Sequence, residues 1–281
     1  MFCMRRGLKI EPLLLAKPVC RPKVSRVGYA LAMEPTELDQ LLACALDAAN
    51  TGAAELLKRF GGPLEIHSKT SAEDKVTDAD LASEKMVRAV IARHRPSDSI
   101  TGEELAEDVG EKPKVRWSID PLDGTVNFTR GIANYCTSVG AVDLQTGQWL
   151  VGAIVAPSLG LTYFAKRGGG AWLTRDGVTT QIFGPPKDRE TKILATGFSY
   201  SALERSTQFE KLSELMHQFV DVRRMGSAAL DACMVADGTV DVYYEKHIKE
   251  HDWAAALLIA EEAGQRVRRP DFVGDFGSVN L

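Results

Sequence analysis

The sequence predicts a mixed α/β protein of two lobes, an α+β lobe to about Pro186 and an α/β lobe beyond it. Three observations carry that reading. Two early stretches repeat apolar residues at helical spacing, and a central block alternates short apolar runs with glycine turns. Beyond Gly184-Pro185-Pro186-Lys187, strand and helix patterns take turns. A chain of 281 residues is long enough for one large domain or two intimate lobes.

From Glu37 to Phe60, the residues Leu38, Leu41, Leu42, Ala45, Leu46, Ala49, Leu56 and Leu57 recur at helical spacing until Gly61-Gly62-Pro63 stops them. A second helix is expected from Asp78 to His94, burying Leu81, Met86, Val87, Val90 and Ile91, with Thr77 and Asp80 at capping-box spacing. Ser99-Ile100-Thr101 leads into Gly102-Glu103-Glu104. Val115, Trp117 and Ile119 alternate with Arg116 and Ser118, the pattern of a strand with one buried face, expected to stop at Pro121. Thr137–Asp143 and Trp149–Ala156 read as paired strands joined around Gly147, and Leu161–Lys166 as a third, with turns at Gly168-Gly169-Gly170 and Asp176-Gly177. The second lobe is expected to run Ile193–Thr196, Thr207–Phe219, Val222–Met225, Ala228–Ala236, Val240–Tyr244 and Trp253–Ala263.

Composition removes several function classes. The hydrophobic fraction of 44% and charged fraction of 26% are those of an ordinary globular protein, and the net charge of −4 gives no electrostatic reason to expect nucleic acid. No apolar run is long enough to span a membrane. Cys3, Cys20, Cys44, Cys136 and Cys233 show no C-x-x-C spacing, which points to free thiols in a reducing cytoplasm. In residues 1–32, Arg5, Arg6, Lys9, Lys17, Arg21, Lys23 and Arg26 face the single acid Glu11, the composition of a disordered basic extension ahead of a folded part at 33–281.

Trp117-Ser118-Ile119-Asp120-Pro121-Leu122-Asp123-Gly124-Thr125 places two carboxylates three residues apart where an apolar run stops. Gly124 and Thr125 can open a helix whose free N–H groups attract anions. Two carboxylates beside such a helix start would repel a phosphate unless metal ions lay between them. Hard oxygen donors of this kind suit Mg²⁺. The stretch therefore reads as a metal-dependent phosphate site.

Asp120-Pro121-Leu122-Asp123-Gly124-Thr125, preceded by Gly102-Glu103-Glu104, resembles the inositol monophosphatase family of Mg²⁺-dependent, lithium-sensitive phosphatases, over a span from about Met33 to about Gly264. The resemblance implies a layered αβαβα sugar-phosphatase fold and hydrolysis of inositol monophosphate by metal-activated water, with two or three Mg²⁺ per site and a homodimer. It assigns Glu103, Asp120 and the Leu122 carbonyl to one ion, and Asp120, Asp123 and Asp252 to a second. A weaker third ion near Glu103 would hold the attacking water. Thr125 and Asp80 match the pair that orients that water, while Lys69, Asp74 and Glu104 match supporting positions. The substrate is expected against Glu103, Leu122, Asp123, Gly124, Thr125, Gly226, Ser227, Ala228, Glu245 and Asp252. Glu245, at the end of an apolar run, matches an acid that binds inositol hydroxyls.

Several of these residues have plainer readings. Asp252 is locally a helix N-cap, Asp80 half of a capping box, Lys69 a surface lysine and Glu104 an exposed acid. In His251-Asp252-Trp253-Ala254-Ala255, histidine precedes the aspartate and tryptophan follows it, a departure from the family's W-D-x-A-A order. His247-Ile248-Lys249-Glu250-His251 also spells the inverted zinc-peptidase signature, which needs both histidines one turn apart on a helix. Within the fold, fructose-bisphosphatase, bisphosphate nucleotidase and histidinol phosphatase activities would use the same carboxylates, and a non-catalytic interaction module is a further alternative. Past Gly264, comparison with the family leads us to expect one strand and one helix fewer than usual. That expectation implies an exposed sheet edge and a melting temperature not far above about 60 °C.

Overall fold

A computed structural model describes residues 35–63, 66–68, 75–272 and 274–281. Lys69, Asp74 and the basic residues 1–32 lie outside the described residues. Helix α1 spans Pro35–Arg59, a short hairpin pairs β1 (Ile66–Ser68) with β2 (Lys75–Thr77), and α2 spans Asp78–His94. Both helices fall where apolar periodicity placed them, but on α2 Met86 is exposed and Leu81 only half-buried.

A seven-stranded sheet follows: β3 (Ser99–Gly102), β4 (Val115–Asp123), β5 (Cys136–Asp143), β6 (Trp149–Ala156), β7 (Leu161–Lys166), β8 (Ala171–Arg175) and β9 (Val178–Ile182), ordered as numbered. The one-turn helix α3 (Thr125–Thr129) interrupts it. One face of the sheet packs on α1 and α2 through Leu41, Ala45, Val87, Ile91, Trp117, Ile119, Val139 and Val151. Trp117 and Ile119 are fully buried as expected, but Ser118 is buried as well, so β4 does not have the single buried face its alternation suggests: helix α6 covers the other side of the sheet.

The remaining chain builds a five-stranded sheet from β10 (Ile193–Thr196), β11 (Asp221–Arg223), β12 (Val242–Lys246), β13 (Val267–Arg268) and β14 (Phe276–Val279), in the order β11-β10-β12-β14-β13. Helices α5 (Ala228–Ala236) and α6 (Glu250–Glu262) lie between the sheets, joining Ile154 and Tyr163 to Tyr243 and Val279 in one core. On the outer side, α4 (Ala202–Leu215) covers Leu194, Val242 and Tyr244. The layers read α1/α2, sheet, α5/α6, sheet, α4. This is the expected αβαβα arrangement.

Helix α6 is buried all round from Ala254 to Ala260, as a helix between two sheets must be. Its close seat depends on Gly140 and Gly152, which face each other across β5 and β6. A Cβ on Gly152 would lie 2.9 Å from Ala255 Cα. A larger side chain there would push α6 away from the sheet, at a cost of about 1–3 kcal/mol.

Some boundaries differ from expectation. Helix α4 begins at Ala202 rather than Thr207, and α6 begins at Glu250 rather than Trp253. Strand β4 runs through Pro121 to Asp123, because proline sits in a bulge where no ladder donor is required. Past Gly264 the chain forms β13 and β14, and β14 pairs with β12 over Tyr243–Lys246. No helix among the described residues is long and apolar enough to cross a membrane.

Candidate active site

The bulge in β4 turns a D-x-x-D pattern into a pair of converging carboxylates. Asp120 stands opposite Ser138 and Asp123 opposite Cys136, so three steps on β4 match two on β5. In an unbroken strand, residues three apart would point to opposite faces. The extra residue brings Asp123 back to the side of Asp120. The bulge is secured at the Pro121 carbonyl, which accepts from Ser83 Oγ and Thr137 Oγ1, each at 3.0 Å. Beyond it, Gly124 adopts φ +94°, and a Cβ there would lie 2.9 Å from the Asn134 carbonyl oxygen.

Each acid is held differently. Asp120, 1% exposed, accepts from Leu122 N at 3.0 Å. Asp123 Oδ2 accepts from Ser227 Oγ at 2.6 Å and Ala229 N at 2.8 Å, so the start of α5 fixes its direction. Asp252 is the third residue of α6 rather than its N-cap, and its Oδ2 accepts from Lys249 N at 2.6 Å. Donor atoms of Asp120, Asp123 and Asp252 lie within 4.8 Å of one another, as do those of Glu103, Asp120 and His251.

The loop just after Glu103 is held by Glu84, a fully buried acid on α2. Glu84 accepts from Glu104 N at 2.8 Å and Leu105 N at 3.2 Å, and Arg88 Nε donates to it at 2.8 Å. Gly102 is needed for this approach, since a Cβ there would come within 2.2 Å of Glu84 Oε1. Glu104 thus touches the support through its backbone N–H.

Asp80 serves two roles at once. Its Oδ2 accepts from Thr77 N at 2.8 Å, closing the capping box of α2, while its Oδ1 accepts from Thr125 Oγ1 at 3.2 Å. Cap and site contact therefore use different oxygens of one carboxylate. The Thr125 hydroxyl has a second acceptor, the Leu122 carbonyl at 3.1 Å.

The acids border a cavity of about 580 Å³ lined by Glu103, Asp120, Leu122, Asp123, Gly124 and Thr125 from one side. Gly226, Ser227, Ala228, Glu245 and Asp252 line it from the other. Asp80 is fully buried behind Thr125. Tyr243 Oη donates to Glu245 at 3.1 Å, and Gly197 leaves room for that carboxylate. Sequence reasoning overlooked Glu84, Ser83, Thr137 and Gly197, and also Asp231, Arg205, Arg224, Lys246 and Lys249 on the cavity wall. Only Glu84 left a trace, its i,i+4 spacing to Arg88.

Concentrating acids in a buried cleft is costly. At an effective dielectric of about 20, two like charges about 4 Å apart repel by roughly 4 kcal/mol. Burial, then Glu103, Asp123 and Asp252, holds the Asp120 carboxyl well above the usual carboxylate range. Burial and Asp252 push Asp123 up to about 7 against the pull of Ser227 and Ala229. Burial, then Asp252 and Asp123, push Glu245 up to about 8. Burial raises Asp252 as well, partly offset by His251. Divalent cations would reverse this repulsion, and the hard oxygen donors fit Mg²⁺.

The zinc-peptidase reading fails on geometry. His247 lies outside α6 in a left-handed conformation at φ +64°, so it and His251 do not share a helical turn.

The inositol monophosphatase family model matches residues 37–275. An inositol-1-monophosphatase from Mycobacterium leprae is 40% identical over 77% of this chain and 75% of its own length. A Nus factor SuhB from Vibrio cholerae is 35% identical over 83% of this chain and 86% of its own. Among solved structures, an inositol monophosphatase from Anabaena (Nostoc) superposes with a TM-score of 0.73 at 31% identity, covering 87% of this chain and 92% of that one.

Proposed function

The chain belongs to the inositol monophosphatase family, and from that premise we propose that it hydrolyses inositol monophosphate to inositol and phosphate by attack of water, with Mg²⁺ and without a phosphoenzyme. The observation that carries the reading is the meeting of Asp120, Asp123 and Asp252, from strand and helix far apart in sequence, at one cavity wall. Glu103, Asp120 and the Leu122 carbonyl would hold one ion, and Asp120, Asp123 and Asp252 another. Bound Mg²⁺ would supply Lewis-acid stabilisation of the charge that develops on the ester oxygens.

The chain's own groups do the rest. With its proton directed to Asp80 Oδ1, Thr125 Oγ1 keeps a lone pair free to accept from the attacking water. The N–H groups of Gly124 and Thr125, which line the cavity, would bind phosphate oxygens. Because α3 is a single turn, individual N–H donors matter more here than a helix dipole. Gly226, Ser227 and Ala228 would face the ring, and Glu245 would accept from its hydroxyls. Lys69, Asp74 and Glu104 retain proposed supporting roles.

A second reading within the fold rests on Arg205, Arg224, Lys246 and Lys249, which also line the cavity. A cationic wall of this kind would suit a substrate with two phosphates. Phosphate release from a panel of mono- and bisphosphate esters, with Mg²⁺, then EDTA, then lithium, separates the readings. Inositol monophosphate is expected as the best substrate, with lithium inhibition. Preference for a bisphosphate would favour the second reading, and no release from any ester would refute both. Glu245→Gln is expected to raise KM for inositol phosphate about tenfold, the loss of one charge-assisted hydrogen bond. We further propose a homodimer, testable by light scattering, and a cytoplasmic location, consistent with the free buried thiols of Cys44, Cys136 and Cys233.

A further inference from the structure

We propose that His251 is a direct metal donor, which makes the two halves of the acid cluster chemically unequal. One ion would sit on a mixed nitrogen–oxygen set in which His251 joins Glu103, Asp120 and the Leu122 carbonyl. Its neighbour would sit on the all-oxygen set of Asp120, Asp123 and Asp252. Asp120 is common to both. The proposal rests on reading the acid cluster as a metal centre.

The geometry has three parts. First, a ring nitrogen of His251 and single carboxylate oxygens of Glu103 and Asp120 lie within 4.8 Å of one another. Metal–donor distances of about 2.0–2.2 Å place donors around one cation roughly 3–4.4 Å apart, so little closing movement is needed. Second, the histidine is held in place. It is the second residue of α6, and its neighbour Glu250 is gripped by a bidentate fork from Arg116, at 2.5 and 2.8 Å. Arg116 lies on β4, the strand that carries Asp120. On the other side, Asp252 is tied to Lys249 N, and Trp253 packs edge-on against Trp149 with ring centroids 5.5 Å apart. Third, the ring is not consumed elsewhere. Its nearest carboxylate, Asp252 Oδ1, stands 3.7 Å from Nε2, too far for a sound hydrogen bond, and no hydrogen bond reaches either ring nitrogen among the described residues.

An imidazole donor changes which ion the site prefers. Carboxylates and carbonyls suit Mg²⁺, whereas imidazole suits Co²⁺ and Zn²⁺. The mixed set should therefore take Co²⁺ with an advantage over Mg²⁺ that the all-oxygen set lacks. The competing arrangement is one in which His251 only offsets the charge of Asp252 and never touches the ion.

Proton NMR of the full chain loaded with Co²⁺ distinguishes the two. A solvent-exchangeable imidazole N–H signal, shifted far outside the diamagnetic range, is expected in the wild type and absent in His251→Gln. By calorimetry, His251→Gln should lose at least about tenfold in Co²⁺ affinity while Mg²⁺ affinity changes less than about threefold. Co²⁺ bound without a shifted imidazole signal would overturn the proposal and leave the phosphatase reading standing. So would an equal loss for both ions in the variant. If neither Co²⁺ nor Mg²⁺ binds the wild type, this proposal and the metal-phosphatase reading fail together.

Discussion

The acid cluster has two halves built by different means. Asp120 and Asp123 sit on a strand interior to a seven-stranded sheet, 1% and 8% exposed, each oriented by hydrogen bonds from the backbone or from Ser227. Asp252 and His251 sit in the first turn of α6, half-buried, on a segment tied at Lys249 and Arg116. The sheet-borne half is rigid because its surroundings leave it no alternative. The helix-borne half is placed by the start of one helix, where side chains have more room. The metal centre proposed above would thus have one wall fixed by the sheet and a second wall at the helix start, where His251 stands.

Removing a sheet-borne ligand should produce the largest effect. Asp123→Asn keeps an acceptor for Ser227 and Ala229 but loses the charge, and turnover is expected to fall at least about 10³-fold, roughly 4 kcal/mol of transition-state stabilisation. Phosphate-release kinetics measure this, and activity near wild type would exclude Asp123 as a ligand. The same variant should melt higher than the wild type without metal at pH 8, since one of the repelling charges is gone.

Next comes the support beneath Glu103. Glu84→Ala removes the acceptor of Arg88 Nε and of the N–H groups of Glu104 and Leu105, while Arg88 Nη1 keeps Asp108 at 2.7 Å. A stability loss of about 2–4 kcal/mol is expected, with Mg²⁺ affinity about 10–100-fold weaker. Thermal melts and calorimetry read the two effects, and unchanged Mg²⁺ affinity would show that the Glu103 loop needs no such prop.

The pH dependence of stability has a definite sign. Asp123 ionises near 7 in the fold against an ordinary 3.8, so the folded state binds this proton more tightly than the unfolded state. Stability of the metal-free protein therefore falls as pH rises from about 4 to about 7, by roughly 1–4 kcal/mol shared among the clustered acids. The raised Glu245, near 8, continues the decline. Saturating Mg²⁺ should stabilise more at pH 8 than at pH 5. A metal-free melting temperature that rises across this interval would contradict the picture. The smallest change is expected from Ser227→Ala, which leaves Asp123 held by Ala229 N alone and removes the N-cap of α5; it should cost about tenfold in kcat, with about 1 kcal/mol of stability.

Legibility in the sequence follows the same division. The pattern around Asp120 and Asp123 announced itself because the strand, the proline and the glycine are local, and α1, α2 and α5 were readable from periodicity. Two things were hidden. The bulge that turns Asp123 toward Asp120 depends on where β5 pairs, and Glu84 earns its importance from contact with a loop twenty residues away. The start of α6 was misplaced by three residues because Glu250, His251 and Asp252 look like a polar approach to an apolar helix. That error hid the placement of His251 against Glu103 and Asp120. Asp80 shows a different limit: capping and site contact look like rival roles in a sequence, although a carboxylate has two oxygens and can take both.

That double duty constrains how the molecule can change. Any substitution that tunes the group behind Thr125 also unseats the first turn of a helix buried against the large sheet, so chemistry and architecture are locked to one side chain. The opposite rim is bound by a similar tie, because Asp252 borders the cavity and also accepts from the Lys249 N–H at the start of α6.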